Sequence, residues 1–435
     1  MDDGSPPLRL TDHPLRYELA NELHARPFPS LAAPCRVVYL AIKRPKDAAN
    51  RDREADRAHL IELLDRFGGT HPKPGATHYF GDLGKHQIKW ECHTEFVTYT
   101  IFTPSIADRP FDPASFEVLP ADWLARAPGG RITSALIRVE EVTEDDEASV
   151  LPKAFDWFVP ESLAVSRVLD GTAIMAGDFR IDTAGHMRFA VFVRPDTGDR
   201  RIGRIVQRLT EIETYKAMSM LGYRRARDLS GRMGELDRDL TALVTGMNNS
   251  LETPEHLLEG LLRVAAELEA LRAQATFRFG ATAAYEAIVL DRIQVLRETR
   301  FGGRQTFQEF MARRYDPAMR TVKSTEARLN AMAERAMRAG ELRRTKVDVE
   351  RQAQNAKLLE SMDKRSDLQL RLQRTVEGLS VVAISYYAVN LATYFVYPVT
   401  SQIGLTVTLT TAILTAPVVL AVFLMVRRLR KHLGA

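Results

Sequence analysis

Between Gly378 and Val426 the chain has no Asp, Glu, Lys, Arg or His, although charged residues make up 27% of its 435 positions. That absence excludes an ordinary soluble helix there, since one solvated face needs charge. Elsewhere composition is unremarkable: 45% apolar residues and a mean hydropathy of −0.20 leave most of the chain expected in water. Cysteine is scarce too. Cys35 and Cys92 are the only two, which excludes a disulfide framework or a CxxC pair and fits core thiols in a reducing compartment. The net charge of +4 is too small a bias for a nucleic-acid partner, which needs a clustered basic face. The start, Met1-Asp2-Asp3-Gly4-Ser5-Pro6-Pro7, has neither the basic residues nor the apolar run of a secretory signal, so the large N-terminal part is expected to stay in the cytoplasm.

The uncharged run is more than twice the roughly 20 residues one span needs to cross about 30 Å of hydrocarbon. Tyr397-Pro398-Val399-Thr400-Ser401-Gln402 is polar and holds a proline, which places a fold-back there and spans at 378–396 and 403–426. Arg371 and Arg374 precede the first span, and Arg427, Arg428, Arg430 and Lys431 follow the second. Two crossings return the chain to its starting side, and both basic flanks choose the cytoplasm. The lipid bilayer is therefore an expected partner and the inner membrane the expected location, with both termini cytoplasmic. The spans carry polar side chains at Tyr386, Tyr387, Asn390, Thr408 and Thr411. A bare amide in lipid is costly, so Asn390 should face another helix or a wet pore.

Ahead of the spans the periodicity is mixed. Residues 1–34 read as an N-terminal arm, and 35–195 as an α/β domain with a mixed sheet. Strands are expected at Cys35–Ile42, Thr77–Phe80, Gln87–Thr94, Glu95–Phe102, Ile132–Val139, Ser162–Leu169, Thr172–Ile181 and Met187–Val193. A helix is expected over Asp47–Phe67, ended by Gly68-Gly69, and another near Glu144–Phe155. Residues 200–376 then read as a helical stalk. Asp316-Pro317 starts its last helix, which can run straight into the first span.

Catalytic signatures are missing. The chain has no GxSxG, no HExxH, no GxGxxG before a helix and no zinc-type cysteine pairing, so no catalytic activity and no cofactor are expected. Gly81-Asp82-Leu83-Gly84-Lys85-His86 has the wrong spacing for a phosphate loop and reads as a hairpin turn. In Trp90–Glu95, strand alternation would put Glu91, His93 and Glu95 on one face, where they could hold a divalent cation; a charge-paired sheet face is the commoner use of that pattern. His24 and Arg26, in Asn21–Phe28, could bind an anion or pin the arm to the domain.

Three stretches carry a resemblance: NELHARP at 21–27, WECHTEF at 90–96 and QLRLQRTVEGLSVVAISYY at 369–387. With them the chain resembles, over nearly its whole length, a bacterial family of uncharacterised membrane-anchored proteins, a domain of unknown function. The resemblance implies a membrane anchor and brings no catalytic residues. In layout the chain is also similar to CorA-type divalent-cation channels, which join a cytoplasmic α/β domain to a long helix and two C-terminal spans. Their Gly-Met-Asn entrance is replaced here by Tyr397-Pro398-Val399, and Gly246-Met247-Asn248 lies far upstream. The expected function is an anchored homo-oligomer whose cytoplasmic domain binds a ligand or partner. The alternative is a CorA-like ion transporter with a pore lined by the first span.

Overall fold

The computed structural model describes residues 11–22, 28–46, 50–247 and 254–433. Helix α1 spans Arg16–Glu22. Strand β1 (Cys35–Lys43) reads CRVVYLAIK, and every position except Arg36 is buried. A strand apolar on both faces belongs inside a sheet covered on both sides. β1 lies there, antiparallel to β4 (Phe96–Thr103) and to β5 (Gly130–Glu141).

The remaining strands are β2 (His78–Leu83), β3 (His86–Cys92), β6 (Ala164–Val168), β7 (Ala173–Gly177), β8 (Met187–Val193) and β9 (Thr299–Arg300). Their order is β2-β3-β4-β1-β5-β8-β7-β6-β9. Among the named strands β5 and β8 pair in parallel and the others antiparallel, so the sheet is mixed, as expected. The turn foreseen at 81–86 joins β2 to β3, with Gly84 at φ 61 supplying the left-handed position.

On one face, Val38, Leu40, Trp90 and Tyr99 pack against Leu60, Leu63 and Leu64 of α2 (Arg53–Phe67) and Trp123 of α3 (Ala121–Ala125). The helix expected from Asp47 begins at Arg53, because the Asp52 carboxylate accepts from the Glu54 and Ala55 N–H groups and caps it there. Gly68, at φ 66, ends it as foreseen. Farther along the same side, α4 (Val150–Trp157) covers Val165, Ile174 and Phe192.

The opposite face of the sheet meets α5 (Asp199–Gly246), α6 (Pro254–Leu296), α7 (Phe307–Arg314) and the start of α8 (Asp316–Thr400). One apolar cluster takes in Val37, Tyr39, Ile137 and Val191 from strands and Ile205, Leu209, Leu268, Phe307 and Met332 from helices. The helices after Asp199 therefore share a core with the sheet instead of standing apart from it. The chain divides into a unit of 1–248 with 259–339 and a unit of 249–258 with 340–435. Helix α8 continues through Gly340 and counts 85 residues.

In the second unit, α8 and α9 (Val407–Leu433) make an apolar pair, and a segment of each is long and apolar enough to cross a membrane. The turn sits later than expected. Pro398 lies inside α8, which continues to Thr400 before a 3₁₀ turn at Ser401–Ile403 and a left-handed Gly404. Pro398 gives up its N–H bond to the preceding turn, yet the chain reverses only where Gly404 can adopt φ 81 without strain. Ser385, Val389 and Thr393 of α8 and Thr410 and Val422 of α9 are buried. The Thr410 hydroxyl donates to Thr400 Oγ1 at 3.1 Å across the turn.

Candidate functional site

The β3–β4 turn is built around a buried cation. Arg51 pairs with Asp56 of α2 at 2.6 Å, both side chains nearly inaccessible. Its guanidinium also donates to the Phe96 carbonyl at 3.0 Å and to the His93 and Thr94 carbonyls, and it touches Cys92 Sγ at 3.1 Å. Carbonyls in a tight turn lack ladder partners, and a five-donor guanidinium satisfies several at once. Trp90 and Cys92 face α2, and the turn residues project on the side of α5 and α6.

The turn also changes the alternation expected for this block. β3 stops at Cys92, and the His93 N–H donates to the Phe96 carbonyl at 2.9 Å, so residues 93–95 are not on a strand. Glu91 and His93 still line one cleft. Glu95 is drawn away to α6, where its carboxylate accepts from Arg278 Nη1 and from the Tyr285 hydroxyl, each at 2.9 Å. Burial pushes the Glu95 carboxyl up, but those two donors and the Arg278 charge outweigh it and hold it below the ordinary range. Among the described residues no group of three His, Cys, Asp or Glu is arranged to hold a metal ion, and the Glu91–His93–Glu95 set is not brought together.

The cleft has a volume of about 260 Å³ and lies between β1, β3 and β4 on one side and α5 and α6 on the other. Its walls include Phe28, Tyr39, Glu91, His93, Gln207, Glu211, Tyr215 and Arg292. The charges are paired. Lys89, buried, donates to Gln207 Oε1 at 2.8 Å and sits 3.2 Å from Glu91; Arg292 pairs with Glu211. Burial pushes the Tyr39 hydroxyl well above its ordinary value, only partly offset by its bond to Thr214, so it stays a neutral donor. One wall is aromatic: His93 stacks on Phe96 at 4.3 Å and meets the edge of Tyr215, which stacks on Tyr285 at 5.5 Å. The arrangement can bind a small polar molecule with a flat face by hydrogen bonds and stacking.

The N-terminal arm closes the rim of this cleft through Phe28. Pro29 packs on Gly203 of α5, and the Leu31 N–H donates to the Asp199 carbonyl at 3.1 Å. His24 and Arg26, the residues singled out for arm docking or anion binding, lie outside the described residues. Of the hairpin positions, Tyr386 and Tyr387 are exposed, as is Thr408, while Asn390 is half-buried. Thr411 is half-buried, and its hydroxyl returns to the Val407 carbonyl. Arg371, Arg374, Arg427 and Arg428 are exposed; the side chains of Arg430 and Lys431 lie outside the described set.

Sequence reasoning missed Arg51, Asp56, Arg278, Tyr285, Gln207 and Arg292, all of which come from helices or loops remote from the strands they serve. Nothing in their local sequence marks them, although Asp52 and Asp56 opening a helix hint at a capped start. No match is found among the curated proteins. A family model matches residues 11–433, so the chain belongs to the family described as "Protein of unknown function (DUF3422)".

Proposed function

We propose that this chain is an inner-membrane-anchored homo-oligomer, without enzymatic activity, whose sheet-bearing unit binds a small polar ligand in the cleft beside Glu91 and His93. The observation that carries the reading is the outward display of apolar side chains in the second unit. Leu379, Val382, Leu391, Phe395, Ile413 and Leu420 are each more than half exposed. Large apolar side chains facing out around both helices, over a length near the ~30 Å of a hydrocarbon core, suit lipid and not water. Arginines at 371, 374, 427 and 428 flank the open end, and the turn at Ser401–Gly404 is uncharged, which favours cytoplasmic termini.

Oligomerisation is supported by α8 itself. Every side chain from 351 to 376 is exposed, Leu358, Leu359, Met362, Leu368 and Leu372 included. A helix with no tertiary packing relies on local terms alone, and a second copy would cover those side chains. The hydroxyls of Thr393, Thr411 and Thr415 are used on carbonyls of their own helices, which favours an anchor over a conducting path. The test is carbonate extraction of membranes, with impermeant-maleimide labelling of single cysteines at Gln402 and Lys364 in intact and in opened cells. Retention in the membrane with Gln402 labelled from outside is expected. Release by carbonate, or labelling of Lys364 in intact cells, would overturn the anchor and its orientation. Steady turnover of a metabolite by the purified chain would overturn the non-enzymatic reading.

A further inference from the structure

A second, larger cavity of about 750 Å³ opens between the first turns of α5, the end of α6 and the β6–β7 turn. Arg201, Arg204 and Arg208 line it from α5, at spacings of three and four residues that put them on one side of the helix. The wall carboxylates pair with other arginines: Asp170 with Arg297, also in the wall, at 2.7 Å, and Asp291 with Arg292. Among the described residues Arg201, Arg204 and Arg208 make no hydrogen bond or ion pair with a carboxylate. Burial holds the half-buried Arg208 guanidinium below its ordinary value, and the charges of Arg204 and Arg292 add to that against the pull of Glu211 and Asp291. Three wall residues, Leu169, Asp170 and Arg297, hold left-handed backbone angles of 50°, 60° and 49°, a conformation that costs free energy for side-chain-bearing residues.

We propose that this cavity binds a phosphate-bearing anion of nucleotide size, held by Arg201, Arg204 and Arg208. Like charges at i,i+3 and i,i+4 repel, and Glu211 and Asp291 act on Arg208 only at a distance, so a helix face of three arginines without an ion-paired carboxylate is less favourable when empty of anion. Guanidinium forks match phosphate oxygens two at a time, and the N-terminal end of α5 adds a favourable dipole. The volume lies within the range of small-molecule sites. The three arginines line a concave cavity, on a chain of net charge only +4, which favours a small anion over a nucleic-acid strand. The site is distinct from the Glu91–His93 cleft and does not depend on the membrane reading.

The test is calorimetry on the full-length chain in mild detergent. The probes are sodium pyrophosphate and a short-chain phosphatidylglycerol kept below its micelle concentration. Saturable binding of one probe is expected, weakened at least tenfold by Arg204→Gln/Arg208→Gln. Arg201→Gln alone, at an exposed position, should weaken it in the same direction. Arg227→Gln, exposed farther along α5, should leave binding unchanged. Binding of pyrophosphate assigns a soluble phosphate ligand, and binding of the lipid alone assigns a headgroup; either supports the site if it depends on the same arginines. Binding of neither probe, or equal binding by the double variant with an unchanged thermal midpoint, would overturn it. So would binding of a single-stranded oligonucleotide alone.

Discussion

Gly203 offers a sharp test of how the arm is held, because two other glycines on the same helix provide the control. An ideal Cβ built at Gly203 would lie 1.7 Å from the Pro29 carbonyl oxygen and 2.7 Å from its carbonyl carbon. Both atoms are backbone, so Gly203→Ala must push the arm off α5 rather than turn a side chain aside. Displacing the arm exposes Leu31, now 4% accessible, and breaks its N–H bond to Asp199. Losing a buried leucine costs about 1.5–3 kcal/mol. The hydrogen bond adds about 1 kcal/mol. Alanine's better helix propensity returns about 1 kcal/mol. The net is a destabilisation of about 1.5–3 kcal/mol, or a thermal midpoint lower by roughly 2–4 °C for a unit of this size. Gly231 and Gly234 have no atom within 4 Å of an added Cβ. The same change there should stabilise by about 0.5–1 kcal/mol. The assay is a thermal melt paired with limited proteolysis across residues 28–34. Cleavage should accelerate in Gly203→Ala and stay at the wild-type rate in Gly231→Ala. If Gly203→Ala melts with Gly231→Ala and resists protease equally, the arm is not seated on α5 as described, and Phe28 cannot define the rim of the cleft.

Arg51→Met should cost about 3–5 kcal/mol, because it leaves the Asp56 carboxylate buried and unpaired; urea denaturation reads it, and a loss below 1 kcal/mol would refute the clamp on the β3–β4 turn. Glu95 is held below its ordinary carboxyl value in the folded state, so its contribution is present above the unfolded value near 4.3 and is lost as pH falls through the lower folded value. The stability margin of the wild type over Glu95→Gln should therefore shrink from about pH 5 downward, and a margin that widens on acidification would reverse the argument. Thr410→Val removes the hydroxyl bond to Thr400 and should weaken the hairpin by only about 0.6 kcal/mol in mixed-micelle unfolding. A much larger loss would mean that the hydroxyl has another role.

Most of the sheet was legible from period-two patterns and turn residues. β1, β4 and β8 read as strands because their apolar runs are short, rich in β-branched and aromatic residues and bounded by turns. The boundary between β3 and β4 was harder, since WECHTEF continues the alternation through a turn whose reason for existing, the Arg51 guanidinium, comes from 45 residues before Phe96. The late fold-back of the hairpin is a similar case. Pro398 is the stronger local breaker, but the helix continues to Thr400 and Gly404, beyond a short 3₁₀ turn, takes the left-handed position.

The uncharged run of 378–426 had already settled that the C-terminus is a helical pair different in kind from the rest, with basic residues beyond both ends. Secondary structure is local, and a period or an absence of charge needs no partner to be read. The cleft and the arginine-lined cavity are another matter. The cleft takes His93 from a turn, Gln207 from one helix and Arg292 from another, and the cavity sets Arg201, Arg204 and Arg208 against Arg297 and the β6–β7 turn. Which carboxylate each arginine finds, and which arginines find none, depends on how α5 and α6 cross the sheet. That is decided by the shared apolar core, and only the tertiary structure displays it.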